Sequence, residues 1–407
     1  MQHAQSRLLA RKWIGRGALA SLAALIAAVV LPALPALAGS WSAPVQLPGS
    51  CGSSVAENQA GAMAAGGTFQ AADGSTHVQL CTSPDGKTWQ AADLGQGGSL
   101  HRPVMAVDPS GRAVAVWGSY VGCPASCGYI VQAAMHPADG SWGAPVTLST
   151  HLQFDRGGPV LGVDGAGDVI AAWADVLDNE VTYAVLPAGG GWGPARTLST
   201  QSMQGSAHSP GLAVSPNGGV VVTFTGGNDA IWAVSGTITG GFSAPVFVAI
   251  GDYTRDSAPK VALDDAGQAS VVWSRTGHIE AATRSPGGTW SAAAVLASQA
   301  SSSVATAIDG AGNALAVFGS SYSWHLTGGS WGAATSLPAG SSGGLAVADP
   351  AGTFVYADSG GNAFTFAAGA TSFGAGSGSR GSLGDLKIVP GRAVMLAAGA
   401  VSTEAVS

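Results

Sequence analysis

Apolar and polar positions alternate along this chain in short runs, and the runs recur as one unit. The clearest copy starts at Met105, breaks at Asp108-Pro109-Ser110-Gly111, and resumes as Ala113-Val114-Ala115-Val116-Trp117. Downstream comes Gly140-Ser141-Trp142-Gly143-Ala144-Pro145-Val146-Thr147-Leu148. Alternation at period two predicts half-buried strands. Self-similarity at roughly 40 to 50 residues predicts a propeller or a solenoid.

Each unit resolves into four strands. The first two are joined by a tetrapeptide at 108–111, Asp164–Gly167, Ser215–Gly218, Asp264–Gly267, Asp309–Gly312 and Asp349–Gly352. Asp or Ser at the first place bonds its own backbone, and Gly at the last takes positive φ, which suits a hairpin. The aspartates therefore read as turn-formers and not as a metal ladder. Third strands are expected at 129–135, 181–186 and 279–283. A Gly-rich turn then leads to a fourth strand of the form Trp-Gly/Ser-Ala-Pro-Val-x-Leu, whose proline suits a sheet edge. Four antiparallel strands per unit make a propeller blade.

Eight aromatics anchor the fourth strands: Trp41, Trp89, Trp142, Trp192, Phe242, Trp290, Trp331 and, weakly, Phe373. Trp41 precedes any inner strands, while the last strands (386–398 and 400–406) have no anchor after them. Residues 39–48 are thus expected to supply the outer strand of the last blade, closing the ring and removing two bare edges. This predicts an all-β, eight-bladed propeller over residues 39–407. Seven blades is the alternative if the short unit at 339–378 forms no blade. Nine of the twelve tryptophans occupy two repeat positions, which points to packing between blades. Trp232 and Trp324 lie off the template and are also expected to be buried.

Residues 1–38 have the form of an export signal. Arg7, Arg11, Lys12 and Arg16 precede the apolar run Gly17–Leu31, and Pro32 and Pro35 lead to Ala36-Leu37-Ala38, an A-x-A cleavage pattern. The apolar run is shorter than the ~20 residues that span a bilayer. A secreted or surface-held monomer without a membrane span is the expectation. Cleavage would leave 12 basic against 23 acidic residues, a net charge of −11. That charge repels phosphate backbones and disfavours nucleic acid. Four cysteines in an exported chain favour disulfides over metal. Of three pairings, the spacing favours Cys51–Cys81 and Cys123–Cys127.

The segment Ser83-Pro84-Asp85-Gly86-Lys87-Thr88-Trp89 resembles the Asp-box, or BNR, repeat of sialidase-like propellers. Degenerate copies stand at 138–142 and 285–290. The resemblance implies that Asp85 is structural, in a turn between third and fourth strands, away from any active site. Sialidases share three substrate-clamping arginines, a Tyr/Glu nucleophile pair and an Arg-Ile/Leu-Pro element. No Arg-Ile-Pro or Arg-Leu-Pro occurs here, and only four glutamates exist, Glu57, Glu180, Glu280 and Glu404.

Blade topology sends the 2–3 loops and the blade-to-blade loops to one mouth of the channel, where variation and function concentrate. Polar groups recur there just before the inner strands: His101 and Arg102, Asp155 and Arg156, His208, Arg255 and Asp256, with Arg380 in the closing blade. The 2–3 loops add Asp175, Asp178 and Glu180, then Asn228 and Asp229, then Arg275, His278 and Glu280. The three acids at 175–180 are a weak calcium candidate without EF-hand spacing. No phosphate loop, His-E-x-x-His or G-x-S-x-G element is present, and no cofactor is expected. Three functions follow: a non-catalytic propeller binding a glycan or extracellular protein, a diverged glycosidase clamping an anionic sugar with Arg102, Arg156 and Arg255, or a structural surface protein.

Overall fold

The computed structural model describes residues 41–406, apart from 98–101, 122–127, 150–157, 176–179, 200–206, 228–229, 251–258 and 375. Among these residues the chain forms eight antiparallel sheets. Each inner strand lies beside that of the next sheet, and the last returns to the first, so the sheets are the blades of an eight-bladed β-propeller. The inner strands of blades 1 to 8 are Ser54–Glu57, Val104–Val107, Val160–Val163, His208–Val214, Lys260–Leu263, Val304–Ile308, Leu345–Ala348 and Leu383–Val389.

The ring closes as the anchor count implies. Val45–Gln46 pairs with Ala400–Ala405 as the outer strand of blade 8. The unit at 339–378 does form a blade, with three strands, and Phe373 packs edge-on to Tyr322 with ring centroids 5.1 Å apart. Two strand expectations need correction. The segment at 386–398 is not one strand but a hairpin, Leu383–Val389 and Arg392–Ala397, because Pro390-Gly391 reverses the chain between two apolar runs. Several fourth strands shrink to two residues, such as Val146–Thr147 and Arg196–Thr197, so Pro145 and Pro194 precede the ladder instead of sitting in it. Very short edge strands leave little backbone open to foreign pairing.

The core is divided among the blade junctions. Trp117 packs between blades 1 and 2, Trp173 between 2 and 3, and Trp273 between 4 and 5, each essentially inaccessible. Trp324 is also packed inward, donating Nε1–H to Ala370 O at 3.1 Å, and Trp232 lies edge-on to Phe247. Blade 1 carries Gly67 at the position of those strand tryptophans. A Cβ there would stand 1.8 Å from Ser50 O, because residues 50–52 cross that space. The same crossing segment is tied down by the Cys51–Cys81 disulfide, while Cys123 and Cys127 lie outside the described residues.

Candidate functional site

The repeated turns between first and second strands build one mouth of the channel. The leading residue is buried in the turns of blades 1 to 7, an aspartate at 108, 164, 264, 309 and 349, Ser215 in blade 4 and Asn58 in blade 1. Asp309 Oδ1 accepts from the backbone N–H of Ala311 (3.0 Å) and Asn313 (2.8 Å), and its Oδ2 accepts from Asn313 Nδ2 at 2.8 Å. Asp108 repeats the pattern and adds an ion pair with Arg112 at 2.8 Å. Turn-forming, as expected from the sequence, is what these groups do.

Neighbouring turns are also bonded to one another around the ring. Asn58 Nδ2 donates to Asp108 O (2.9 Å), Arg112 to Gly167 O (2.8 Å), Gly165 N–H to Pro216 O (2.7 Å) and Asn217 to Asp265 O (2.5 Å). Gln268 donates to Gly312 O (2.6 Å), Gly310 N–H to Pro350 O (3.1 Å), Gly391 N–H to Asp349 Oδ2 (2.8 Å) and Arg392 to Asn58 O (3.5 Å). All eight junctions are stapled. The mouth is therefore a preformed rim instead of a set of loose hairpins.

Inside this rim lies a cavity of about 740 Å³ to which every blade contributes. That volume falls within the range of ligand sites. Its wall is a belt of aliphatic residues from the last position of the inner strands, including Val107, Val163, Val214, Leu263, Ile308 and Val389, with Ile388 beside the last of these and Pro109, Pro216, Pro350 and Pro390 at the rim. No aromatic side chain lines it.

Blade 1 breaks the belt with Glu57. The Glu57 side chain is fully inaccessible, its Oε1 meets the Arg392 guanidinium of blade 8, and Oε2 has no hydrogen-bond partner among the described residues. Burial pushes this carboxyl up to about 7, and the Arg392 charge only partly opposes the shift. Two lysines stand deeper on the channel wall. Lys260 opens the inner strand of blade 5, and Lys387 lies in that of blade 8, where it pairs with Asp385 at 3.4 Å.

At the opposite mouth, most of the candidates from sequence lie outside the described residues: His101, Asp155, Arg156, Arg255 and Asp256. Arg102 is exposed just before the inner strand of blade 2. His208 begins that of blade 4, its Nδ1 lies 3.1 Å from Ser209 Oγ, and Ser209 holds a left-handed φ of 54°. Blades 2 and 4 are not neighbours. The Arg380 guanidinium is used in closing blade 8. It bonds Ser42 O (3.3 Å) and Ser402 Oγ (2.9 Å), tying the segment ahead of Val45–Gln46 to the third strand of the blade. The 2–3 loop charges are used locally too: Arg275 pairs with Glu280 at 3.3 Å, and Glu180 accepts from Thr197 Oγ1 at 2.7 Å. Asp178, Asn228 and Asp229 lie outside the described residues. Among the described residues no trio of His, Cys, Asp or Glu is placed to hold a metal ion.

Two of the tyrosines are held in the blade cores. Tyr322 and Tyr356 are buried, burial raises both hydroxyls, and Tyr356 donates to Gly343 O at 2.7 Å. Asp85 of the box accepts from the backbone N–H of Lys87 and Thr88, both at 2.9 Å, between the third and fourth strands of blade 1. Those bonds hold its carboxyl below the usual range.

Sequence reasoning passed over Glu57, Lys260, Lys387 and the cavity. The signal for Glu57 was available: aligning Val55-Ala56-Glu57-Asn58 on Met105-Ala106-Val107-Asp108 puts an acid where the other blades keep an aliphatic residue.

No family model and no curated protein matches the chain. Solved propellers match its fold. The BP39L lectin from Burkholderia pseudomallei aligns over 82% of this chain and 99% of its own, at 14% identity and a TM-score of 0.56. BamB from Moraxella catarrhalis aligns over 90% and 100%, at 14% identity and 0.52. YCF48 bound to D1 peptide aligns over 90% and 97%, at 14% identity and 0.50. At such identities the likeness is one of fold.

Proposed function

We propose that this is an exported, non-catalytic β-propeller that binds an extracellular ligand on its axis, and that the ligand is a polypeptide segment. The observation that carries this reading is the 740 Å³ cavity with its stapled rim and aliphatic belt. Proline and branched aliphatic walls accept apolar side chains, whereas sugars are commonly stacked on aromatic faces, which the lining lacks. The fold likeness to a peptide-bound propeller, YCF48, agrees with this choice. The Cys51–Cys81 disulfide agrees with export and cleavage after Ala38. The Asp-box likeness at 83–89 agrees with a descent from sialidase-like propellers that keeps the turn and not the chemistry.

A glycan ligand remains the second reading, favoured by the fold likeness to a lectin, and it would use the loop mouth around His101, Arg102, Asp155, Arg156, His208, Arg255 and Asp256. One experiment separates the two. The chain from residue 39 is titrated into a pool of fluorescent octapeptides and onto a glycan array, alongside Leu263→Arg and Arg102→Ala. Peptide binding weakened at least tenfold by Leu263→Arg supports the cavity. Peptide binding indifferent to Leu263→Arg removes it, and glycan binding lost in Arg102→Ala transfers the site to the loop mouth.

A further inference from the structure

The inner strand of each blade pairs with its second strand on one side only, so its other edge forms the channel wall. Lys260 and Lys387 both lie on inner strands and both are exposed. They come from blades 5 and 8, which are not neighbours, yet the charge of Lys387 bears on Lys260. An inner strand is flanked by the neighbouring blades and paired with its own second strand, so an exposed side chain on it opens toward the axis, and blades 5 and 8 bring these two lysines to the channel from non-adjacent sides. Lys387 stands next to Ile388 of the cavity wall, and register gives the depth of Lys260. Lys260 pairs with Val272 and Leu263 with Ala269, so Lys260 stands three residues below the belt of the cavity, about 10 Å at 3.3 Å per residue.

The charge in this stretch is unbalanced. Asp385 answers Lys387, and it also accepts the N–H of Val55 and of Leu386. Lys260 makes no ion pair among the described residues; confinement by the channel wall and the charge of Lys387 lower its pKa. A chain with a formal charge of −7 thus keeps an unanswered cation on its axis, below an apolar cavity. A confined, unpaired ammonium is a good partner for a carboxylate, which would answer the charge of Lys260.

Resting on the reading of the cavity as a peptide site, we propose that Lys260 and Lys387 form an anion-binding centre that receives the free C-terminal carboxylate of the bound peptide. Apolar terminal residues would pack on the Val214 and Leu263 belt while the carboxylate reaches Lys260. A chain end can travel ~10 Å down a channel without threading a loop through it.

The test uses the chain from residue 39 and three octapeptide pools: free C-terminus without acids, amidated without acids, and amidated with one internal Glu. Fluorescence anisotropy should show the first pool binding at least tenfold tighter than the second. Lys260→Met should erase that difference while leaving the amidated pool's affinity unchanged, and Lys260→Arg should restore it. Equal affinity of the first two pools overturns the proposal and leaves the peptide reading standing. A third pool as tight as the first overturns the C-terminal assignment. If no pool binds, the peptide reading falls, and an acetate titration of the ¹³C-methylated lysines still decides the anion centre. A saturating shift of Lys260 supports it, whereas the linear drift shown by exposed Lys87 overturns it.

Discussion

Glu57 occupies a place where the repeat otherwise sets an aliphatic side chain, and its burial has a consequence for stability. The carboxyl rises from the ordinary 4.5 to about 7 in the folded state, despite the guanidinium of Arg392. The native chain therefore holds an extra proton between these values, so unfolding free energy falls as pH climbs from 4.5 to about 7 and levels off beyond. Glu57→Gln keeps an acceptor for Arg392 and removes the ionisation. Urea unfolding should find the variant more stable than the parent at pH 8, by about 1–2 kcal/mol after allowing for screening, with the gap closing near pH 4.5. Burial also raises Glu404 and Asp264, so both proteins will slope with pH and the difference is the quantity to follow. A gap that does not change with pH would mean that the carboxyl is not the cause. At Asp309 the expectation has the opposite sign. Three donors lose their acceptor in Asp309→Ala, two of them backbone N–H groups, and the same measurement should record a loss of about 2–4 kcal/mol at neutral pH.

Elements differ in how much of them could be foreseen. Strands such as Gly128–His136 and Glu180–Leu186 were legible because alternation and turn residues are local properties. The turn aspartates were legible for the same reason. What escaped was decided between blades: Arg112 bonding Gly167, or Arg392 meeting Glu57, joins residues 55 or more positions apart through the geometry of the ring, which no local pattern encodes. Blade 4 is another case. Its outer edge splits into Gly241–Phe242 and Val246–Ile250, and the longer piece leaves Val246, Phe247 and Ile250 exposed. An exposed apolar edge strand invites pairing between molecules. Val246→Lys should suppress concentration-dependent aggregation in light scattering while leaving the melting temperature within a degree or two; aggregation unchanged by the added charge would clear this edge. The Cys51–Cys81 link, 30 residues apart, pins the segment that crosses Gly67. Loop entropy puts the cost of Cys51→Ala with Cys81→Ala at about 3–4 kcal/mol. Denaturant titration of the double variant against the oxidised parent checks it.

Closure belongs to the whole molecule, because it joins residues from the two ends of the described chain. Ser42 N–H donates to Thr403 O (2.8 Å), Leu47 N–H to Gly399 O (3.0 Å), and Thr403 N–H to Ser42 Oγ (3.0 Å). Trp41 packs against the core between blades 7 and 8, and Leu47 enters the core between blades 8 and 1. A chain beginning at residue 49 keeps eight sets of inner strands but loses this seal. The outer edge of Ala400–Ala405 is then bare, and Arg380 loses Ser42. Burial of two large apolar side chains is worth roughly 3–5 kcal/mol, so the truncated chain should melt well below the parent and self-associate through the open edge. A synthetic peptide of residues 39–48 added in trans should restore both melting temperature and monomer, since the groove for it is preformed by blade 8. Rescue by that peptide but not by one with Trp41 replaced by Ala would assign the seal to the packed indole. A truncated chain that melts with the parent would show that the stapled turns and inter-blade cores hold the ring without it.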